Sequence, residues 1–180
     1  LKSWQRYHVY PSRHLDGIHW SITGKCNFQC RHCLISAPGA KLPQLPLEDC
    51  LHIIDEIAKC GIKRVDITGG EPLVRNDFHE IVSALSRNKI SIGVLFTNAS
   101  LLTSETLDLL EKYHQYPTIQ ISFDGLGHHD WLRGIPGAEK QADTAFKLLM
   151  QRGCPVVTSM CIHKGNKDSL FDTLMYLKQM

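Results

Sequence analysis

The sequence predicts an α/β protein in which parallel strands, joined by helical crossovers, curl into part of a barrel. Two observations predict it. From residue 17 onward, short stretches that alternate apolar and polar residues take turns with longer stretches whose apolar residues recur at helical spacing. Three of the strand-like stretches also carry a polar face: Ser21 and Thr23, Asp66 and Thr68, and Gln120, Ser122 and Asp124. A closed eight-stranded barrel fills its interior with branched apolar side chains, so a polar lining suits a wider, open barrel that holds polar ligands. Any one of these residues could equally do no more than hydrogen-bond its neighbours. As a set they favour a cavity.

Residues 1 to 16, with Trp4, Tyr7, Tyr10 and Pro11, show no clean period and are expected to form an N-terminal arm, leaving 17 to 180 as the core domain. Ile18, Trp20 and Ile22 alternate with His19, Ser21 and Thr23, giving the first strand, and a loop with three cysteines follows directly. After a proline-rich stretch from Pro38 to Pro46, Leu47, Leu51, Ile54 and Ala58 recur behind the acidic Glu48 and Asp49, and Gly61 ends this first helix. Lys63 to Thr68 make the second strand, which delivers Gly69-Gly70-Glu71-Pro72 at its carboxyl end. Asn76 is then expected to cap a helix carrying Phe78, Ile81, Val82 and Leu85 on one face. Ile90 to Thr97 form the third strand, ended by Asn98, and Thr103 opens a helix with Leu107 and Leu110. Thr118 to Asp124 form the fourth strand, followed by a longer loop from Gly125 to Gly137 and a helix with Ala142, Ala145, Phe146 and Leu149 that stops at Gly153. Pro155 to Ile162 make the fifth strand, and Asn166 is expected to cap a last helix holding Leu170, Leu174 and Leu177.

Length and composition narrow the function classes. At 180 residues with 43% hydrophobic residues and no apolar run approaching a membrane span, the chain reads as one soluble globular unit. A formal charge of +2, with Lys and Arg scattered, points to no nucleic-acid or membrane partner. Seven cysteines without a charged-then-apolar leader favour a reducing, cytoplasmic setting over a disulfide framework. The odd count fits three metal ligands plus four ordinary thiols, Cys50, Cys60, Cys154 and Cys161, for which burial is the default. The chain starts at Leu1 and ends at Met180 inside a helical run, so it reads as a piece of a longer protein.

The chemistry is concentrated in Cys26, Cys30 and Cys33, a C-x3-C-x2-C array. Three thiolates can each bind one iron of a cubic 4Fe-4S cluster, leaving the fourth iron open to an exogenous ligand. A zinc knuckle with His32 as fourth ligand is the plainer alternative. Geometry disfavours it, because one turn would have to aim the adjacent His32 and Cys33 at a single metal, and no second cysteine or histidine pair completes the set. Exposed thiols with no metal would be an oxidation liability. Gly69 and Gly70 let the backbone approach a ligand closely, and Pro72 fixes the exit, although such a stretch alone is more often a turn. His128 and His129 are read as loop histidines.

Together, the cysteine array and Gly69-Gly70-Glu71-Pro72 at the end of a strand closely resemble the radical S-adenosylmethionine (radical SAM) superfamily. The resemblance runs nearly continuously from 17 to 180 and implies a partial TIM-like (β/α) barrel, with about five of the family's six strand-helix units present. It implies that Cys26, Cys30 and Cys33 hold a 4Fe-4S cluster whose unique iron chelates the amino and carboxylate groups of SAM. The reduced cluster would cleave SAM to a 5'-deoxyadenosyl radical that abstracts hydrogen from substrate. His32 fills the place of the family's usual aromatic residue before the third cysteine, where the backbone meets the adenine. Gly69, Gly70, Glu71 and Pro72 resemble the segment that binds the methionine amino group, with Glu71 acting through local structure more than as an acid. Asn98 stands where the family commonly has Thr-Asn-Gly, with Ala99 in place of the glycine.

Ser122-Phe123-Asp124-Gly125, followed by His129-Asp130 and Arg133-Gly134, resembles the strand-four segment of the SPASM and Twitch branch, which carries extra clusters in a C-terminal extension. That resemblance puts Ser122 at the ribose or carboxylate of SAM, Asp124 at the ribose, and Arg133 as a forked donor to the carboxylate, a surface salt bridge being the plain alternative for Arg133. It implies a peptide or protein side chain as substrate, as in ribosomal-peptide or sulfatase maturation, and a low-potential electron donor such as flavodoxin or ferredoxin. Relatives that make tetrapyrroles or small cofactors also use Cys-x3-Cys-x-His-Cys. A non-catalytic iron-sulfur module for electron transfer or sensing is the alternative from another class.

Overall fold

The computed structural model describes residues 17–35 and 43–180; the expected N-terminal arm and part of the proline-rich stretch lie outside the described residues. Five strands, β1 (Gly17–Ser21), β2 (Arg64–Thr68), β3 (Ser91–Thr97), β4 (Thr118–Ser122) and β5 (Val156–Ser159), form one sheet in the order in which they occur along the chain. All four pairings are parallel. The crossovers carry α1 (Leu47–Lys59), α2 (Phe78–Arg87), α3 (Ser104–Lys112), and α4 (His129–Arg133) with α5 (Ala138–Gln151), and α6 (Leu170–Gln179) follows β5. The result is the expected α/β arrangement, a parallel sheet that is not closed.

One face of the sheet lies under the helices. Val65 and Ile67 of β2, Leu95 of β3 and Ile119 and Ile121 of β4 are buried there with Ile54, Ile81, Leu85, Leu107 and Leu149 from the helices. A core of this kind dominates stability, at about 25 cal/mol for each Å² of apolar surface removed from water. The other face carries the polar residues, and they divide into two groups. Asp66 is held by Arg64 and His19, Gln120 pairs with Ser159, and Thr23 donates to Gln44 at 2.9 Å, so these satisfy one another. Thr68 and Ser122, nearer the carboxyl ends of their strands, face a cavity.

Four expectations are corrected. Asp77, not Asn76, stands at the head of α2, and its carboxylate makes no cap bond because Arg75 holds both oxygens at 2.7 and 2.8 Å. The buried Arg75 guanidinium also donates to the carbonyls of Ile22 and Leu45, tying β1 to the chain ahead of α1. Asn166 does not cap the last helix; its amide bridges the carbonyls of Asp124 and Cys161 and so ties the end of β4 to the chain leaving β5. The loop from Gly125 to Gly137 contains α4, and the Asp130 carboxylate accepts the amides of Gly137 and Glu139 at the start of α5. Of the four thiols expected to be buried, only Cys50 is; Cys60 is exposed, and Cys154 and Cys161 are half-buried. Among the described residues no helix is long and apolar enough to cross a membrane.

Candidate functional site

The cysteine loop lies across the carboxyl ends of the strands, and the sequence around it explains how it is held. Beyond β1 and β2 the backbone pairing continues: the Gly70 amide donates to the Thr23 carbonyl (2.8 Å) and the Glu71 amide to the Lys25 carbonyl (2.9 Å). Both glycines are obligatory for this approach. A Cβ on Gly69 would sit 2.4 Å from the Thr23 oxygen, and one on Gly70 would sit 2.1 Å from the Lys25 oxygen. The far side of the loop is pinned by α4, where Gln29 and Arg31 donate their amides to the carbonyls of Arg133 and Leu132. Arg31 adds a side-chain bond to the Trp131 carbonyl (2.8 Å), with its guanidinium over the indole ring.

The loop and the strand ends enclose a cavity of about 360 Å³. All three expected ligand cysteines line it, with His32 beside them; Gly69, Gly70, Asn98, Ser122 and Arg133 form the opposite walls. Its size falls within the usual range for a cofactor pocket, roughly 300–1,000 Å³. Among the described residues, no three His, Cys, Asp or Glu side chains gather on one ion, as a tetrahedral zinc site would need. A cubic cluster asks something different, one thiolate at each of three separate irons around a shared space. Burial pushes the Cys26 thiol up, while the Phe28 amide on its sulfur (3.4 Å) draws it back. Burial and then the Arg133 cation push the His32 imidazole down, and its Nδ1 has no hydrogen-bond partner among the described residues.

Glu71, Pro72 and Asp124 do not line the cavity; all three are buried behind it. Glu71 accepts the Leu73 amide (3.1 Å) and the Thr97 hydroxyl (2.9 Å) on one oxygen and the Asn98 amide (2.7 Å) on the other, locking the turn after β2 to the end of β3. Asp124, expected at a ribose, is wholly buried, and its carboxylate accepts Arg133 Nε (2.6 Å) and the Cys161 amide (2.9 Å). Burial opposes its ionisation, but His129, Arg133 and the Cys161 amide outweigh burial and hold the carboxyl at about 2. Arg133 is therefore in a buried ion pair and not a surface one. His129 is no loop histidine: it lies in α4, fully buried against Phe123, and its Nδ1 stands 3.0 Å from the Asp124 amide nitrogen and 3.2 Å from the Asp124 carboxylate.

Burial pushes the Glu71 carboxyl up to about 7 despite its three donors. The folded chain thus binds this proton more tightly than the unfolded chain, whose carboxyl titrates near 4.5. The resulting stability is fully present below pH 4.5 and is lost as pH rises through 7; the difference amounts to about 3 kcal/mol. Denaturant midpoints measured from pH 4 to 8 are expected to fall more steeply for the native chain than for Glu71→Gln, and parallel profiles would contradict this.

Sequence reasoning missed the aromatic wall of the cavity, Phe28 and Phe96. The reason for Phe96 is a bulge. Val65 pairs with Ile92 but Ile67 pairs with Leu95, so β3 has one residue more than β2 between these rungs. Unbroken alternation would put Ile92, Val94 and Phe96 on one face; the bulge puts Leu95 under the helices and turns Phe96 towards the cavity. The signal was Gly93, at which a Cβ would lie 1.9 Å from the Arg64 side chain.

An open parallel α/β barrel with a three-thiol loop over its carboxyl ends, facing a cofactor-sized cavity, defines an iron-sulfur enzyme core as the class. The chain belongs to the radical SAM superfamily, which it matches over residues 20–177. That superfamily works with a 4Fe-4S cluster and S-adenosylmethionine. The chain is 30% identical to the AdoMet-dependent heme synthase of Methanosarcina barkeri over 166 residues, 91% of this chain and 47% of that protein. It is 28% identical over 163 residues to the antilisterial bacteriocin subtilosin biosynthesis protein AlbA of Bacillus subtilis, 89% of this chain and 36% of that protein. The chain thus spans less than half the length of these relatives. Its fold is similar to that of Streptococcus suis SuiB bound to the precursor peptide SuiA, with a TM-score of 0.71 at 20% identity, over 92% of this chain and 38% of that one.

Proposed function

We propose that this chain forms the core of a radical SAM enzyme acting on a peptide or protein side chain, with Cys26, Cys30 and Cys33 as the ligands of its 4Fe-4S cluster. The observation that carries the reading is the shared cavity: three thiols, two bare glycines, Asn98, Ser122 and Arg133 line one space of cofactor-pocket size. When bound, cluster and SAM together supply hydrogen abstraction by a 5'-deoxyadenosyl radical. The protein's part is binding, orientation and exclusion of water. Gly69 and Gly70 offer backbone to the methionine amino group, and the segment of His32 meets the adenine. Ser122 and the remaining Nη2 of Arg133 take the ribose and carboxylate oxygens, while Asp124 serves by fixing Arg133. Phe28 and Phe96 give the cavity apolar walls. A low-potential flavodoxin or ferredoxin in the cytoplasm supplies the electron.

The peptide substrate is favoured by the bacteriocin-biosynthesis relative and by the peptide-bound neighbour. The identity with a heme synthase favours a second reading, tetrapyrrole chemistry. Both are tested by loading the chain with iron and sulfide anaerobically, adding reductant and SAM, and quantifying 5'-deoxyadenosine. Product is expected; a loaded chain that binds SAM and yields none would move the reading to a non-catalytic iron-sulfur module. Deuterium passing into 5'-deoxyadenosine from deuterated peptides and not from a deuterated tetrapyrrole supports the first substrate, and the reverse selects the second.

A further inference from the structure

We infer that Asp124 and Arg133 act as a positioning pair on the sulfur of Cys30 and thereby set the reduction potential of the cluster. The inference rests on the cluster assignment above and goes beyond it. Arg133 Nε is fixed by the buried Asp124 Oδ2 at 2.6 Å, and from that anchor Nη1 reaches Cys30 Sγ at 3.7 Å. A guanidinium is a rigid planar fork, so anchoring one nitrogen aims the others. The main chain of Arg133 holds the same loop, accepting the Gln29 amide at 3.2 Å, and Gly134 leaves room for the Gln29 oxygen, which would lie 2.5 Å from a Cβ there.

The arrangement occurs twice. Cys26 Sγ receives Asn98 Nδ2 at 3.8 Å, and the backbone of Asn98 is anchored by the buried Glu71 at 2.7 Å. Two thiols of the array therefore each face a side-chain N–H donor on a residue held by a fully buried carboxylate. A buried ion pair adds little stability by itself, since desolvation offsets its attraction. A donor aimed at a cluster ligand does have a chemical consequence. Hydrogen bonds and positive charge at thiolate sulfur withdraw electron density, favour the reduced cluster and raise its potential.

The test is an EPR-monitored redox titration, without SAM, of the reconstituted chain beside Arg133→Lys, Arg133→Gln and Asp124→Asn. Lysine keeps the cation but has a single nitrogen, which cannot serve Asp124 and Cys30 in the same way. All three variants are expected to titrate at lower potential. At a fixed solution potential the ratio of reduced to oxidised cluster should fall at least tenfold, about 59 mV for a one-electron couple. Asp124→Asn separates the mechanism from simple charge, because removing a negative charge alone would raise the potential, whereas releasing Arg133 lowers it. A lysine variant at the native potential, or an asparagine variant above it, would overturn the inference. So would loss of iron uptake in all three variants with an unchanged far-UV spectrum, which would make the pair part of the metal scaffold. A native chain that assembles no 4Fe-4S cluster would instead count against the proposed function.

Discussion

Cys30→Ala is expected to lower 5'-deoxyadenosine formation at least about a hundredfold, since losing even an outer-shell partner of a metal site costs roughly 10–100-fold. The fold should survive the change. The loop around Cys30 is fastened by backbone bonds that do not use its sulfur: Gln29 and Arg31 to α4, and the Cys33 amide to the Cys30 carbonyl. Iron content and the visible absorption of the cluster should fall with activity while the thermal transition stays. Cys60→Ala is the matched control, because this exposed thiol sits just past α1 and does not line the cavity. Undiminished turnover in the Cys30 variant would remove Cys30 from the set of cluster ligands.

Gly70→Ala should damage both stability and cluster loading. The added methyl would lie 2.1 Å from the Lys25 carbonyl oxygen, 2.6 Å from its carbon and 3.0 Å from the Cys26 Cβ, and the first two atoms are backbone that cannot rotate away. Relief requires the segment after β2 to part from the loop, breaking the bonds from Gly70 to Thr23 and from Glu71 to Lys25. Overpacking of this kind costs about 3 kcal/mol, which for a chain of this length lowers Tm by about 10 °C. Iron uptake should fall too, since Cys26 follows Lys25 directly. Gly127→Ala is the comparison: its φ of +73° strains a side chain, as the backbone of Gly70 does not, but nothing lies within 4 Å of the new Cβ. It should cost about 1 kcal/mol and leave iron uptake intact. Equal effects of the two changes would mean that the close approach of Gly70 to the loop is not what requires the glycine.

Helix boundaries show how local sequence and tertiary context share the work. Gly61 and Gly153 end α1 and α5 with φ of +78° and +64°, as their sequence positions suggested. Lys89 and His114 take the same left-handed conformation after α2 and α3, with no glycine to mark the turn. The stretch from Gly125 to Gly137 was legible as a loop because α4 is only five residues long and is held by distant partners, the cysteine loop on one side and Asp124 on the other. At the other end of the molecule, Leu174 and Phe171 of α6 are exposed, although helical spacing alone would assign Leu174 to a core.

By itself the sequence determined what depends on short separations: the alternation of strands and helices, the spacing of Cys26, Cys30 and Cys33, and the placing of Gly69 to Pro72 at a strand end. These are local because backbone periodicity and ligand spacing are properties of consecutive residues. Only the tertiary structure decided that Phe96 faces the cavity and Leu95 the helices, since a single-residue bulge in β3 reverses the faces beyond it. It also decided that Glu71 and Asp124 lie buried outside the cavity lining. A carboxylate can lie buried only where donors from other parts of the chain meet it: Thr97 and Asn98 for Glu71, and Arg133 and Cys161 for Asp124. No spacing in the sequence records that those donors will be there.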